Sequence, residues 1–192
     1  NIEYIAGDFH QMNFENESVD VVLFDSSLHH FNDINEFLKN EILPLLKTDG
    51  ILVANEFCGP NRLQWKKEQL DFSNELLKEL PKKYKTLIDG KSVKRKVYRP
   101  GLIRMLLVDP SEAPDSARLK NALQANFKVL EEKKLGWNIL HILLKGIAHN
   151  FLKKDAETNQ LLGYLIEKEN EFVERVGETD SIFGVYQKSR LE

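Results

Sequence analysis

Cysteine is all but missing from this sequence: Cys58 is the one thiol among 192 residues, so no disulfide can form within the chain. A small disulfide-stapled scaffold is excluded, and a reducing, cytoplasmic setting is expected, with Cys58 read as a packed thiol rather than a nucleophile. Long apolar runs are missing too. The most apolar stretch, Ile139 to Leu152, is broken by His141, Lys145, Gly146 and His149, too short and too polar to span a bilayer. Nothing resembles a signal peptide. Neither sign of charge dominates: 27 basic residues against 30 acidic ones leave a net charge of −3, which argues against a nucleic-acid surface. There is no internal repeat and no low-complexity segment. With 42% apolar and 30% charged residues, the chain can bury a sizeable core as one domain or a little more.

What is present is organised around Val19-Asp20-Val21-Val22-Leu23-Phe24-Asp25, followed by Ser26-Ser27-Leu28-His29-His30. The apolar run reads as a strand buried on both faces, and it ends in a carboxylate, two hydroxyls and two imidazoles. In an open α/β sheet, ligands sit beyond the carboxyl ends of the strands, so this polar cluster marks the candidate site. Asp33 with Glu36 reads as a capping box, and Ile34, Phe37, Leu38, Ile42, Leu45 and Leu46 follow at helical spacing. Thr48-Asp49-Gly50 stops that helix, and residues 51–57 form a second buried strand, completing a parallel βαβ unit. Residues 1–9 read as a further strand, ending at Gly7-Asp8-Phe9.

These residues resemble a known family. Gly7-Asp8, Phe14 leading into Val19-Asp20-Val21-Val22, Leu28-His29-His30, Leu43-Pro44-Leu45-Leu46-Lys47 and Gly50-Ile51-Leu52 are similar, in order and spacing, to the second half of a class I S-adenosylmethionine-dependent methyltransferase. Asn55-Glu56-Phe57-Cys58-Gly59-Pro60, Gln64-Trp65, Asp109-Pro110-Ser111-Glu112-Ala113 and Ile147-Ala148 with Asn150-Phe151 resemble a bacterial branch whose members occur with glycosyltransferase and surface-polysaccharide genes. The resemblance implies an α/β fold: the C-terminal portion of a Rossmann-like sheet, with parallel strands, an antiparallel last strand and additional helices. It departs from the family at the start. The glycine-rich turn that wraps the cofactor's methionine and ribose, and the acid that binds the ribose hydroxyls, are absent. Asn1 begins just before what would be the third strand, so the chain reads as an inactive fragment of the enzyme.

Along the rest of the chain, Asn61 can cap a helix running to Leu80, stopped by Pro81. Residues 82–114 lack periodicity and carry the basic run Lys94-Arg95-Lys96 to Arg99, as a substrate lid or a solvated loop. Ser116 caps a helix, residues 127–131 form an edge-type strand, residues 138–153 an apolar helix, residues 157–176 an amphipathic helix, and Ser181 to Gln187 a last strand. The expected organisation is the second half of the cofactor-binding core (1–58), a helix and long loop (59–126), and a final strand pair with inserted helices (127–192).

Methyl transfer is an in-line displacement, so the site must position two reactants and remove a proton from the acceptor. His29 and His30 are the candidate bases, since imidazole titrates near working pH; the resemblance favours His30. For the cofactor, the resemblance assigns Asp8 to the adenine amino group, with Phe9 at the adenine face and Asp25 and Ser26 lining its side. Local roles stand beside these: a turn carboxylate for Asp8, core packing for Phe9, a cap for Asp25. Glu56, Gln64 and Trp65 are candidate acceptor contacts, and Ser111-Glu112 is a candidate to close over the acceptor. No metal is expected, because adjacent histidines point apart and no third ligand is spaced for one. His10, His141 and His149 have no partner in sequence. The acceptor implied is a small molecule, related to a sugar or lipid-linked. With the first strands missing, the edge at residues 19–25 should lie open, favouring a homodimer through it, an exchanged N-terminal strand or a displaced first segment. A different nucleotide-using α/β enzyme and a non-catalytic interaction module are the alternatives.

Overall fold

Residues 3–188 are described by the computed structural model. Among them a four-stranded sheet runs in the order β1-β2-β4-β3: β1 is Val19–Asp25, β2 Leu46–Phe57, β3 Phe127–Gly136 and β4 Ser181–Lys188. β1 and β2 are parallel, as the short apolar runs around a helical crossover require, and β4 is antiparallel to both β2 and β3. The last strand thus enters the middle of the sheet. β3 takes the edge, as its alternating pattern leads one to expect. Leu46–Phe57 is longer than the 51–57 segment read from sequence: the register slips between Val19↔Leu46 and Val21↔Ile51, so the Thr48-Asp49-Gly50 stop is absorbed as an irregularity within the strand.

The first expected strand does not form. Ile2 lies outside the described residues, residues 3–8 have no regular structure, and Tyr4 and Ile5 stand 88% and 73% exposed. A strand needs a ladder partner for its N–H and C=O groups, and this segment finds none. It is displaced rather than paired beside β1. The reading of β1 as buried on both faces also fails: Phe24 is buried, but Val21 and Leu23 are 51% and 65% exposed, because the helices cover only the other face of the sheet.

The crossover between β1 and β2 is α1 (Ile34–Phe37), a π turn over Leu38–Ile42, and α2 (Leu43–Leu45). Pro44 has no N–H for a regular i−4 bond, which accounts for the irregular turn. Asp33 does not cap it; its φ is +47°, and the Ile34 amide instead donates to Asp115 Oδ2 at 3.2 Å. Asn61 opens only a short 3₁₀ turn, because Arg62 and Leu63 have φ near +56° and +52°, so α3 (Lys67–Glu79) starts later, where Gln69 Oε1 accepts from the Lys66 amide. The expected structureless connection holds α4 (Leu102–Val108). In α5 (Ser116–Asn126), Asp115 takes the N-cap position expected of Ser116, whose hydroxyl donates to the Gly59 carbonyl at 2.9 Å. The apolar helix expected over 138–153 is split into α6 (Leu140–Leu144) and a 3₁₀ turn (Ala148–Phe151), since Gly146 sits at φ +80° between them. α7 (Ala156–Val176) is capped by Asp155, which accepts from the Thr158 amide, and is closed by Gly177 at φ +72°.

Two apolar clusters result. Phe24, Leu28, Leu38, Leu52, Leu119 and Tyr186 belong to one, between the sheet, the crossover and α5. Trp65, Leu76, Leu143, Ile147, Leu165 and Phe172 belong to the other, between α3, α6 and α7. Among the described residues, no helix is long and apolar enough to cross a membrane.

Gly184, in the central strand β4, tests this packing. A Cβ there would come within 2.4 Å of the ring of Tyr186, which is fully buried and donates its hydroxyl proton to Glu132 Oε2 at 3.0 Å. Gly184→Ala is expected to destabilise the chain by roughly 1–3 kcal/mol, seen as a lower urea midpoint with an unchanged slope.

Candidate active site

The carboxyl end of β1 turns sharply through Ser26, whose φ is +51° and whose amide donates to the Asn55 carbonyl at 2.9 Å. Residues 27–30 then wind into a 3₁₀ turn over Leu28–His30. Glu56, one residue beyond the Asp25↔Asn55 pair, points under this turn and is 1% exposed. Its Oε1 accepts from the Ser27 and Leu28 amides, both at 2.7 Å, and its Oε2 lies 2.7 Å from His29 Nδ1. Burial pushes this carboxyl's pKa up, but the hydrogen bonds from His29, Ser27 and Leu28 outweigh it and hold the group below its ordinary 4.5. Glu56 therefore spends its oxygens on its own chain: it positions His29.

The carboxylate accepts only, so His29 Nδ1 carries the proton and Nε2 keeps a lone pair. His30 is set the same way from another element. Its Nδ1 lies 3.1 Å from the Ser111 carbonyl, also an acceptor only, and 3.1 Å from Ser111 Oγ, so in the neutral ring the proton sits on Nδ1 and the lone pair on Nε2. Ser111 is held in turn by Asp109, whose carboxyl the Ser111 hydroxyl keeps below its usual range. The two imidazoles lie 4.4 Å apart, centre to centre, tilted by 36°. Glu112 joins them: one donor atom each from His29, His30 and Glu112 falls within 4.8 Å of the others. The two rings thus lie side by side, and a carboxylate distant in sequence comes close to both.

Beside them lies a cavity of about 230 Å³, lined by Ser26, His29, Asn55 and Glu56 from the sheet side and by Leu63, Glu112, Trp137 and His141 from the helical side. His30 faces a second hollow of about 540 Å³, which it shares with His10, Phe31, Phe37 and Glu41. Sequence had left His10 and His141 without partners. His141 stacks on Trp137 at 4.8 Å and 9°, and burial lowers its pKa, with Lys145 adding to the effect. The stacked pair is four residues apart in sequence, but tertiary packing brings it to the cavity, where His141 also lies near the rings of Phe57 and Trp65.

The remaining candidates are dispersed. Asp25 Oδ1 accepts from Asn55 Nδ2 at 2.7 Å, at the strand end as expected. Asp8 is exposed and caps its own 3₁₀ turn, accepting from the His10 amide and from Gln11 Nε2, which leaves lone pairs for a further donor. Phe9 is half-buried, packed against Phe14 and Phe37. Gln64 donates to the Arg62 and Pro100 carbonyls, and Trp65 is 4% exposed in the second cluster; neither lines the cavity at His29. Cys58 is half-buried, its Sγ donates to the Thr179 carbonyl at 3.3 Å, and its thiol is pushed up to about 12, chiefly by desolvation and then by Asp180.

The holding role of Glu56 gives a pH-dependent expectation. A carboxyl whose folded pKa is depressed adds stability above its unfolded pKa and loses it as the pH falls through the folded value. Glu56→Gln should cost about 1–3 kcal/mol near pH 7. That difference should hold down to about pH 5 and shrink once the pH drops below the ordinary value of 4.5. Urea titrations of both proteins at a series of pH values check this.

Residues 1–154 match the sequence profile of a family described as a methyltransferase domain. Among curated proteins, none matches the sequence. Solved structures similar to the chain include the [4+2]-cyclase SpnF, at 12% identity and a TM-score of 0.42, covering 96% of this chain and 55% of that one. Another is the YcgJ protein of Bacillus subtilis, at 15% identity and a TM-score of 0.41, covering 97% and 70%. A third is phosphoethanolamine N-methyltransferase 2 of Haemonchus contortus in complex with S-adenosyl-L-methionine, at 14% identity and a TM-score of 0.38, covering 95% and 36%. The chain thus spans about half the length of the cyclase. With four-fifths of its length matched, the chain belongs to the methyltransferase domain family, whose class I members take their methyl group from S-adenosylmethionine.

Proposed function

We propose that this chain carries the acceptor side of a methyltransferase site, with His30 as the base and His29, fixed by Glu56, beside it. The observation that carries this reading is that each Nδ1 lies against an acceptor, Glu56 Oε2 at 2.7 Å and the Ser111 carbonyl at 3.1 Å, which directs the Nε2 side of both rings to accept at the carboxyl end of β1. When bound, S-adenosylmethionine supplies an electrophilic methyl on a sulfonium. As an acceptor oxygen or nitrogen would bond to that carbon and the carbon–sulfur bond would break, releasing S-adenosylhomocysteine, His30 Nε2 would take the acceptor's proton, a role worth on the order of 10²–10⁴ in rate. Glu112, Trp137 and His141 border the acceptor, and the cavity at His29 suits a small polar group, such as a sugar ring's hydroxyl edge. Asp8, with acceptor capacity to spare, takes the adenine amino group; Phe9 backs it, and Asp25 and Ser26 close that wall. Among the described residues no glycine-rich turn completes the cradle, so in our reading this chain alone does not turn over. The open edge of β1, with Val21 and Leu23 exposed, is where a second copy or further chain would pair.

A second reading is favoured by the clustering of His29, His30 and Glu112: a divalent cation held there, with Glu56 orienting one imidazole. Chelation separates the two. Under the first reading, the activity of a form extended at its N-terminus survives dialysis against EDTA; under the second, it is lost and returns with added metal.

Calorimetric titration with S-adenosylhomocysteine tests the proposal, using this chain and a form extended at its N-terminus. Binding by the extended form alone is expected. Within that form His30→Ala should lower kcat by on the order of 10²–10⁴ while leaving cofactor affinity unchanged. Binding by neither form would point instead to a non-catalytic module.

A further inference from the structure

We propose that α4 and the chain leading into it form a docking surface for an anionic lipid membrane. α4 buries no residue, although six of its seven side chains are apolar. Ile103, Leu107 and Val108 are 76%, 80% and 74% exposed, and Tyr98 just before them is 74% exposed. Exposed aliphatic groups grouped on one short element are unusual for a surface in contact with water alone. Along this stretch of chain up to Asp109, which closes α4, the charge has one sign. From Lys91 to Val108 the chain carries Lys91, Lys94, Arg95, Lys96, Arg99 and Arg104 and no acidic residue, within a protein whose net charge is −3. Arg95, Lys96, Tyr98, Arg104 and Lys145 surround a common hollow of about 520 Å³, so the basic groups are also neighbours in space. No ion pair among the described residues engages Arg95, Lys96 or Arg104.

Exposed aliphatic side chains rimmed by unpaired cations match a bilayer surface: the cations meet lipid phosphates while the apolar tips enter the acyl boundary. The same surface fits a second copy of this chain poorly, since apposing it to itself would bring like charges together. Nucleic acid would use the cations and leave the aliphatic groups in water. The surface also leads inward. Arg104, Met105 and Val108 line a hollow of about 350 Å³ together with Glu112 and His141, both of which also line the cavity at His29. Docking there would bring an amphiphilic acceptor to the site from the membrane side, but the docking itself does not depend on methyl transfer.

The test is sedimentation of the chain with phosphatidylcholine vesicles, with and without phosphatidylglycerol. Binding is expected only to the anionic vesicles and should weaken as salt is raised. Leu107→Glu, and separately Arg95→Glu with Lys96→Glu, should each reduce partitioning at least about tenfold. Ile166→Glu, at a position 51% exposed on α7, should leave it unchanged. A Leu107→Trp variant should show a blue-shifted emission on anionic vesicles, which reports insertion independently of the charge variants. Three results would overturn the proposal: no binding to anionic vesicles, equal binding to neutral ones, or binding indifferent to Leu107→Glu. Self-association abolished by Leu107→Glu without vesicle binding would overturn it in favour of a second copy.

Discussion

A buried carboxylate cannot be left without donors, and the Glu56 side chain meets that demand by gripping the turn that follows β1. Desolvating a carboxylate is costly, and here two backbone amides and an imidazole offset the cost. The parallel register of β1 and β2 makes this possible, because Asp25 pairs with Asn55 and so sets Glu56 just past the last pair. Strand register, the left-handed Ser26, the 3₁₀ turn and the tautomer of His29 are consequently one linked arrangement. Loosening the carboxylate would free the histidine as well as the backbone.

The same device recurs in the helical half. Glu169, on α7 and 5% exposed, accepts from the amides of Asn138, Ile139 and Leu140 at 2.8, 2.9 and 2.7 Å, pinning the start of α6. Lys94 does the converse at its end, donating to the carbonyls of Ile142, Leu143 and Lys145, and burial brings its ammonium down to about 8. α6 has only five residues and little helical stability of its own, so charged side chains from distant elements complete both its ends. Through this fixing, His141 is held against Trp137 at the cavity, where the two apolar clusters meet.

Charge is distributed unevenly over the chain although the totals nearly balance. The carboxylates that organise the interior, Glu56, Asp115 and Glu169, draw on backbone amides, whereas the cations between Lys91 and Arg104 gather beside an exposed apolar helix. A single net charge conceals this division of labour.

The sequence by itself determined the local events. Short apolar runs specified β1 and β2, helical spacing specified α5 and α7, and the family resemblance rested on motifs such as Leu28-His29-His30, which need no fold to be seen. Element boundaries depended on more. Gly146 and the left-handed Arg62 broke helices whose apolar periodicity ran on, and residues 3–8 lost their strand because strand formation depends on a neighbour, not on composition. Only the tertiary structure decided the site's membership. Glu56 was visible as a strand-end acid, but its role as the holder of His29 follows from strand register. Ser111, Glu112, Trp137 and His141 lie roughly 80 to 110 residues from the histidines they join. No periodicity carries information over such separations; packing of the two clusters brings these side chains together.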